Sequence, residues 1–379
     1  MTSAPVTALF VVPSAKRAGG GDIWLDTLLA VIGDHGVQAS VAFEKDGELV
    51  RRAQFYGCDV TVLDDGSRVP GGGLEDLVAP LAELIAFRKP QVSVFWSPRA
   101  QVYGTAAHRT AGRPGRIAWV QHVLPSGFWL HQAASDAPSD RVICVSQAVR
   151  VRQEQLYPAS RAVVIHPGVN APRNSMSKST ARKALGLDAH AALVGVIGRI
   201  EPWKGQDIAV RMLAEPPSVA YSLALIGERH SATWPDFTGD VEALARDLGV
   251  ADRVTFTGHV ADSPSVLSAL DVLVCASREE GFSLAVLEAM AAGIPVVATR
   301  CGGPEDMIEH EVTGLLVPPE NPSALANAIS RVLRDRTLSS QLAGRARALH
   351  AQRFTSRQAA ARFADALAEL AADPGENSR

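Results

Sequence analysis

Residues 276–295 read ASREEGFSLAVLEAMAAGIP. Just before them Val272, Leu273, Val274 and Cys275 make a short apolar, β-rich run, as expected of a fully buried strand. Ser283 opens the next apolar stretch and Gly293 closes it, an N-cap and a C-cap residue, so a helix is expected from near Ser283 to Gly293. Strand, turn, helix and a further β-rich run at 296–298 make a unit that builds parallel sheets. Glu280 falls in the strand-to-helix turn, and Glu288 stands inside the helix, more than a turn further on at ~1.5 Å rise per residue. The helix start between them offers unpaired backbone N–H groups and about half a positive charge, an arrangement suited to a phosphate. A ligand reaching both acids is elongated, with room for a sugar at one end and a ribose at the other.

The same alternation runs outward in both directions. Strands are expected at 193–197, 223–226, 254–256, 272–275, 296–298 and 315–317, and before them at 7–12, 38–43, 59–63, 92–96, 117–121, 142–145 and 163–165. The first half also shows a loop at 14–21 and helices at 22–32, 74–87 and 147–156, the first with Ile23, Leu28 and Val31 on its apolar face. Periodicity fades over 167–179, where Pro, Gly, Asn and Ser accumulate, which reads as an exposed linker. At roughly 150 residues per domain, a chain of 379 residues holds two. The expected division is 1–168, a linker at 169–180, a second domain at 181–354, and 355–379 as a terminal helix and tail. Ala359, Phe363, Ala366, Leu367 and Leu370 recur at helical spacing, so that helix needs a surface to cover.

Apolar residues are 47% and charged residues 20% of the chain, ordinary values for a globular protein. A net charge of −3 argues against nucleic acid as a partner. Cys58, Cys144, Cys275 and Cys301 are widely spaced, without a metal-ligand pattern, and suit reduced thiols in a cytoplasmic protein. No basic leader and no run of 18 apolar residues is present, so no integral membrane segment is expected. A second phosphate device precedes the first: Gly198, Arg199, Ile200, Glu201, Pro202, Trp203, Lys204 and Gly205 follow the strand at 193–197. Arg199 and Lys204 thus stand at the carboxyl edge of the sheet, where α/β proteins bind ligands, and can hold a diphosphate.

The run GR-x4-KG, F-x-G at Phe256, S-x-x-EGF-x-L-x-x-LEAMAAG-x-PVVAT, GGPE at Gly302 and TGLLVPP at Thr313 resembles the retaining GT-B glycosyltransferases of glycosyltransferase family 4. These motifs span 192–319. The first half matches more loosely, through Gly19, Gly20 and Gly21, which resemble the family's glycine-rich loop, and His122, which resembles its active-site histidine. Ser283 departs from the glycine common there. The resemblance implies two Rossmann-like, doubly wound α/β domains facing across a cleft. It implies that Arg199 and Lys204 contact the donor diphosphate and Glu288 the ribose. Glu280 would face the transferred sugar, and His122 its reacting side. Gly20, Gly21, Gly281, Phe282, Ser283 and Leu284 would line the phosphates and sugar, and His259 and Val260 the base.

The expected reaction moves a hexose or N-acetylhexosamine from a nucleotide-diphosphate sugar, UDP foremost, to a hydroxyl of a small-molecule or glycan- or lipid-linked acceptor, with retention. Arg199, Lys204 and the helix start would stabilise charge growing on the leaving phosphate. The chain contains no Asp-x-Asp, so transfer without metal or other cofactor is expected. Acceptor contacts are sought in loops of the first half near Arg99, Gln101, Tyr103 and residues 128–131. A monomer or homodimer fits. Two other readings are a non-catalytic nucleotide-sugar-binding protein on the same fold and an NAD-dependent oxidoreductase. Against the latter, Trp24 stands where the third glycine of a dinucleotide fingerprint belongs.

Overall fold

The structure, a computed structural model, describes residues 4–64, 73–172, 176–187, 191–216, 219–229, 233–260 and 266–373. The chain divides into two compact units, one of Met1–Gly168 with Ser356–Arg379 and the other of Val169–Thr355.

The first unit is built on β1 (Val6–Val12), β2 (Val37–Phe43), β3 (Asp59–Val62), β4 (Val92–Phe95), β5 (Arg116–Gln121), β6 (Arg141–Cys144) and β7 (Ala162–Val164). They form a parallel sheet in the order β3-β2-β1-β4-β5-β6-β7. Its helices are α1 (Gly20–Leu29), α2 (Glu48–Phe55), α3 (Val78–Arg88), α4 (Pro98–Thr110), α5 (Trp129–Asp136) and α6 (Gln147–Leu156). The order reverses between β1 and β4, the topological switch point at which ligands settle on open α/β sheets.

Several local expectations are corrected here. Gly20 and Gly21 belong to the first turn of α1 rather than to a loop, and the buried face of that helix is Trp24, Leu25, Leu28 and Leu29, not Ile23 and Val31. The helix expected at 74–87 is a 3-10 turn, Leu74–Leu77, followed by α3. Pro80, which has no N–H to donate, falls in the first turn of α3, where none is needed.

The second unit repeats the plan with β8 (Ala192–Ile197), β9 (Tyr221–Ile226), β10 (Val254–Gly258), β11 (Val272–Cys275), β12 (Val296–Thr299) and β13 (Leu315–Val317), ordered β10-β9-β8-β11-β12-β13. All are parallel. The helices are α7 (Lys178–Ala184), α8 (Gln206–Ala214), α9 (Phe237–Asp247), α10 (Leu284–Ala292), α11 (Pro322–Arg334) and α12 (Arg336–Arg353). Here the switch point lies between β8 and β11. The inner strands β8, β11 and β12 are almost wholly apolar, as expected where helices cover both faces of a parallel sheet.

The stretch expected as an exposed linker is tied down at its start. Pro167, Gly168 and Val169 are buried. Gly168 O accepts from Thr27 Oγ1 (3.3 Å) and Ser356 Oγ (3.5 Å) in the first unit. In the second, Val169 N donates to Phe354 O (3.0 Å), and Val169 O meets His350 Nε2 (3.1 Å). The last helix, α13 (Ser356–Ala372), packs on the first unit through Phe363, whose ring centroid lies 6.0 Å from Phe10, 5.9 Å from Trp24 and 6.0 Å from Trp96. Arg141 fastens its far end to Glu369 at 3.0 Å. Among the described residues no helix is long and apolar enough to cross a membrane.

Candidate functional site

In the second unit the chemistry gathers where β8 and β11 end. After β8 the chain makes a 3-10 turn, Pro202–Lys204, and Gly205 follows at φ 70°, the left-handed region. A Cβ on Gly205 would lie 2.1 Å from the Ala276 carbonyl, so only glycine lets this turn sit against the chain leaving β11. That contact brings Lys204 to Glu280. Lys204 Nζ meets Glu280 Oε1 at 2.6 Å, and Ser277 Oγ donates to the same oxygen at 2.9 Å. Burial works against the Lys204 charge, but the charge and hydrogen bond of Glu280 outweigh it, and the ammonium is held above the ordinary lysine value.

The Glu280 backbone is fixed as firmly as its side chain. Its N–H donates to Cys301 O (2.9 Å), and its carbonyl accepts from Gly303 N (2.8 Å). Arg199 is half exposed and pairs with Glu201, 1% exposed, at 3.2 Å, while Gln206 Nε2 holds the Arg199 carbonyl at 2.8 Å. Arg278 braces the turn from outside, forked onto Asp207 at 2.9 and 2.8 Å. Gly281, Phe282 and Ser283 then lead into α10, whose N-cap Ser283 makes no side-chain cap, so the first amides of α10 have no capping side chain. Glu288 lies one turn further and is 6% exposed. His259 and Val260 follow β10, His259 exposed.

In the first unit the β1/β4 switch point carries a packed aromatic nest. Trp96, just after β4, donates Nε1–H to Gly21 O (3.0 Å). Its own carbonyl takes the Nε2–H of His122 (3.0 Å), which assigns the proton to Nε2 and leaves Nδ1 as the acceptor. Trp24 packs edge-on to the imidazole at 5.5 Å. Burial, partly offset by the Trp96 carbonyl, pushes the His122 pKa down to about 4, so the ring is neutral at physiological pH.

Residues 191–335 match the family model described as glycosyl transferases group 1. The second unit thus carries the group 1 glycosyltransferase pattern. The chain has the GT-B fold, and it superposes on the Anabaena protein HepE in complex with UDP-glucose with a TM-score of 0.84, 27% identity and coverage of 96% of this chain and 99% of that one. It is also 33% identical over 244 residues to a D-inositol 3-phosphate glycosyltransferase of Saccharomonospora viridis, covering 62% of this chain and 56% of that protein. A protein of the same name from Jonesia denitrificans is 27% identical over 396 residues, 92% of this chain and 91% of that one. The chain thus spans about half the length of the Saccharomonospora protein and nearly all of the Jonesia protein.

Within the segment that matches this family model the structure joins Lys204 to Glu280 directly and sets Arg199, Gly281, Phe282, Ser283 and Leu284 at the same sheet edge. The acceptor residues need correction. Arg99, Gln101 and Tyr103 lie on α4, not in a loop. Tyr103 is 1% and Gln101 0% exposed, both packed in the core, and Arg99 Nε is engaged by Glu44 at 2.9 Å. Trp129 and His131 begin α5, and this segment presents large apolar side chains outward, Phe128 at 54% and Trp129 at 61% exposure. Sequence reasoning missed Ser277, Trp96 and Glu201. Ser277 and Glu201 stand inside the quoted motifs, and Trp96 is the one residue whose signal, a tryptophan ending a buried strand, was ambiguous between core and site.

Proposed function

We propose that this protein transfers a hexose or N-acetylhexosamine from a nucleotide-diphosphate sugar, UDP foremost, to an acceptor hydroxyl with retention of configuration and without metal. The observation that carries the reading is the Lys204–Glu280 pair at 2.6 Å, set beside the α10 start at the β8/β11 switch point. Lys204 has three N–H donors and Glu280 uses one of them. The remaining donors, the Arg199 guanidinium and the α10 amides would neutralise the leaving diphosphate, replacing the divalent ion other transferases recruit. Glu280, fixed by Lys204 and Ser277, would meet hydroxyls of the transferred sugar, and Glu288 those of the ribose. The leaving phosphate would accept the proton of the incoming hydroxyl as it attacks from the same face.

His122, neutral and donating from Nε2 to Trp96, would turn its polar edge to the sugar. The exposed Phe128 and Trp129 would take the apolar part of the acceptor. Support for the donor class comes from the UDP-glucose bound to HepE. The test is a panel of UDP-, GDP- and ADP-sugars scored by thermal shift and by release of the free nucleotide, with and without chelator. One donor should raise the melting temperature and be consumed at a rate that chelator leaves unchanged. A panel without any stabilising member would overturn the reading, and activity lost to chelator and restored by Mg²⁺ would overturn its metal-free part.

A further inference from the structure

Within the first unit a cavity of about 550 Å³ opens at the amino ends of β4, β5 and β6, the sheet edge opposite to His122, which follows the carboxyl end of β5. Its volume falls among those of small-molecule sites, roughly 300–1,000 Å³. Helix α4 contributes Arg109, the turn into β5 contributes Arg113 and Arg116, and α13 closes one side with Asp373. The acids of the cavity face one cation. Arg116 Nη1 donates to Asp140 Oδ1 at 3.0 Å and its Nη2 to the Asp373 carbonyl at 2.6 Å, with Asp373 Oδ1 at 3.5 Å, while Asp140 Oδ2 takes the Ile117 N–H at 2.8 Å. Arg109 and Arg113 are exposed, and among the described residues neither guanidinium has a partner. Three guanidiniums against two carboxylates leave an excess of positive charge.

The turn that carries Arg113 is both braced and strained. Arg113 N–H donates to His108 O at 2.9 Å, and the Pro114 carbonyl takes the Nε2–H of His108 at 3.0 Å. Arg113 stands at φ 59°, with Gly112 at 84° before it and Gly115 at 74° beyond Pro114. Left-handed backbone is free of steric cost only for glycine, and the turn uses glycine at two of its three left-handed positions but arginine at this one. The backbone gains nothing from that choice, so its reason lies in the side chain. Lys89, the other cation held left-handed among the described residues (φ 46°), stands two residues before Gln91, which lines the same cavity.

From the cavity, its unpaired cations and the strained turn we propose an anion site that takes a phosphate-bearing small molecule, held by Arg109 and Arg113. A phosphate monoester presents three terminal oxygens, enough to serve two guanidinium forks, whereas the two oxygens of a carboxylate satisfy one. Arg116, already engaged by Asp140 and Asp373, forms the wall between the phosphate and α13. The site is separate from the β8/β11 edge and does not rest on the donor reading.

The test labels the arginines of the folded full-length protein with phenylglyoxal, with and without inorganic phosphate at matched ionic strength, and reads each arginine by mass spectrometry. Phosphate at about 10 mM should slow labelling of Arg109 and Arg113 about tenfold, the protection given by a site with a dissociation constant of about 1 mM, and leave the exposed Arg336 unchanged. Arg113→Gly keeps the left-handed turn without the cation, so its melting temperature should be no lower and phosphate should no longer protect its Arg109. A second arm offers phosphatidic acid in phosphatidylcholine vesicles, and protection by vesicles alone overturns the small-molecule ligand. Labelling of Arg109 and Arg113 that phosphate leaves unchanged, or slows no more than that of Arg336, overturns the site. So does undiminished protection of Arg109 in Arg113→Gly, and a variant clearly less stable than the wild type would assign Arg113 a structural role instead. Protection of Arg199 is read from its own peptide and bears on the donor site alone.

Discussion

At the scale of single residues, the decisive contact is Lys204 on Glu280. In the proposed reaction the ammonium that holds the acid in place would also serve the diphosphate, so Lys204→Ala should lower turnover about ten- to a hundredfold, the effect of ~1.5–3 kcal/mol lost from a charged hydrogen bond in the transition state. Steady-state kinetics with a donor found by the panel checks this, and an unchanged kcat would take Lys204 out of the mechanism. His122 makes a different prediction, about pH. Its folded pKa is depressed to about 4 from an ordinary 6.5, chiefly by burial, so it contributes stability above the unfolded value and loses that contribution as the medium is acidified toward the folded one. Urea midpoints should therefore fall between neutral pH and about pH 4.5, and fall less in His122→Asn. Equal slopes in the two proteins would mean that the imidazole is not buried as described.

At the scale of elements, the turn after β8 matters more than any helix propensity. Gly205 sits at φ 70° with no room for a methyl group, so Gly205→Ala should cost at least ~1 kcal/mol in unfolding free energy and lower nucleotide binding by moving Lys204. Denaturant titration reads the first and calorimetry the second, and a variant as stable and as tight-binding as the wild type would show that the turn can relax. This level also explains what the sequence could and could not disclose. The α10 end was legible because Gly293 takes the left-handed conformation, a local cause, while Ser283 marks the start by position alone, its side chain making no cap. The motifs on β8 and β11 were legible because ligand groups on strand ends stay close in sequence. Tyr103 was not, because its burial depends on α3 packing over α4, a tertiary fact, and a tyrosine at helical spacing reads equally as surface or core. The start of the supposed linker was misread for the same reason, since the bonds burying Gly168 and Val169 come from Ser356 and Phe354, nearly two hundred residues away.

At the scale of the whole molecule, the two units apply one rule twice. In each, the residues of interest collect where the strand order reverses, β1 against β4 and β8 against β11, because neighbouring loops diverge there and leave backbone groups uncovered. The first unit puts Trp96 and the α1 glycines at that place, with His122, which follows β5, bonded to Trp96, and the second puts Arg199, Lys204, Glu280 and the α10 start there. Helix α13 returns the chain to the first unit and seats Phe363 among Phe10, Trp24 and Trp96, the same tryptophans that pack on His122. The central claim is that the β8/β11 edge grips a diphosphate. Calorimetric titration with UDP and with uridine tests it most directly. The wild type should bind UDP far more tightly than uridine, and Arg199→Ala combined with Lys204→Ala should remove most of that difference while leaving uridine affinity unchanged. Equal affinity of the wild type for the two, or a double variant that still prefers UDP as strongly, would contradict the claim.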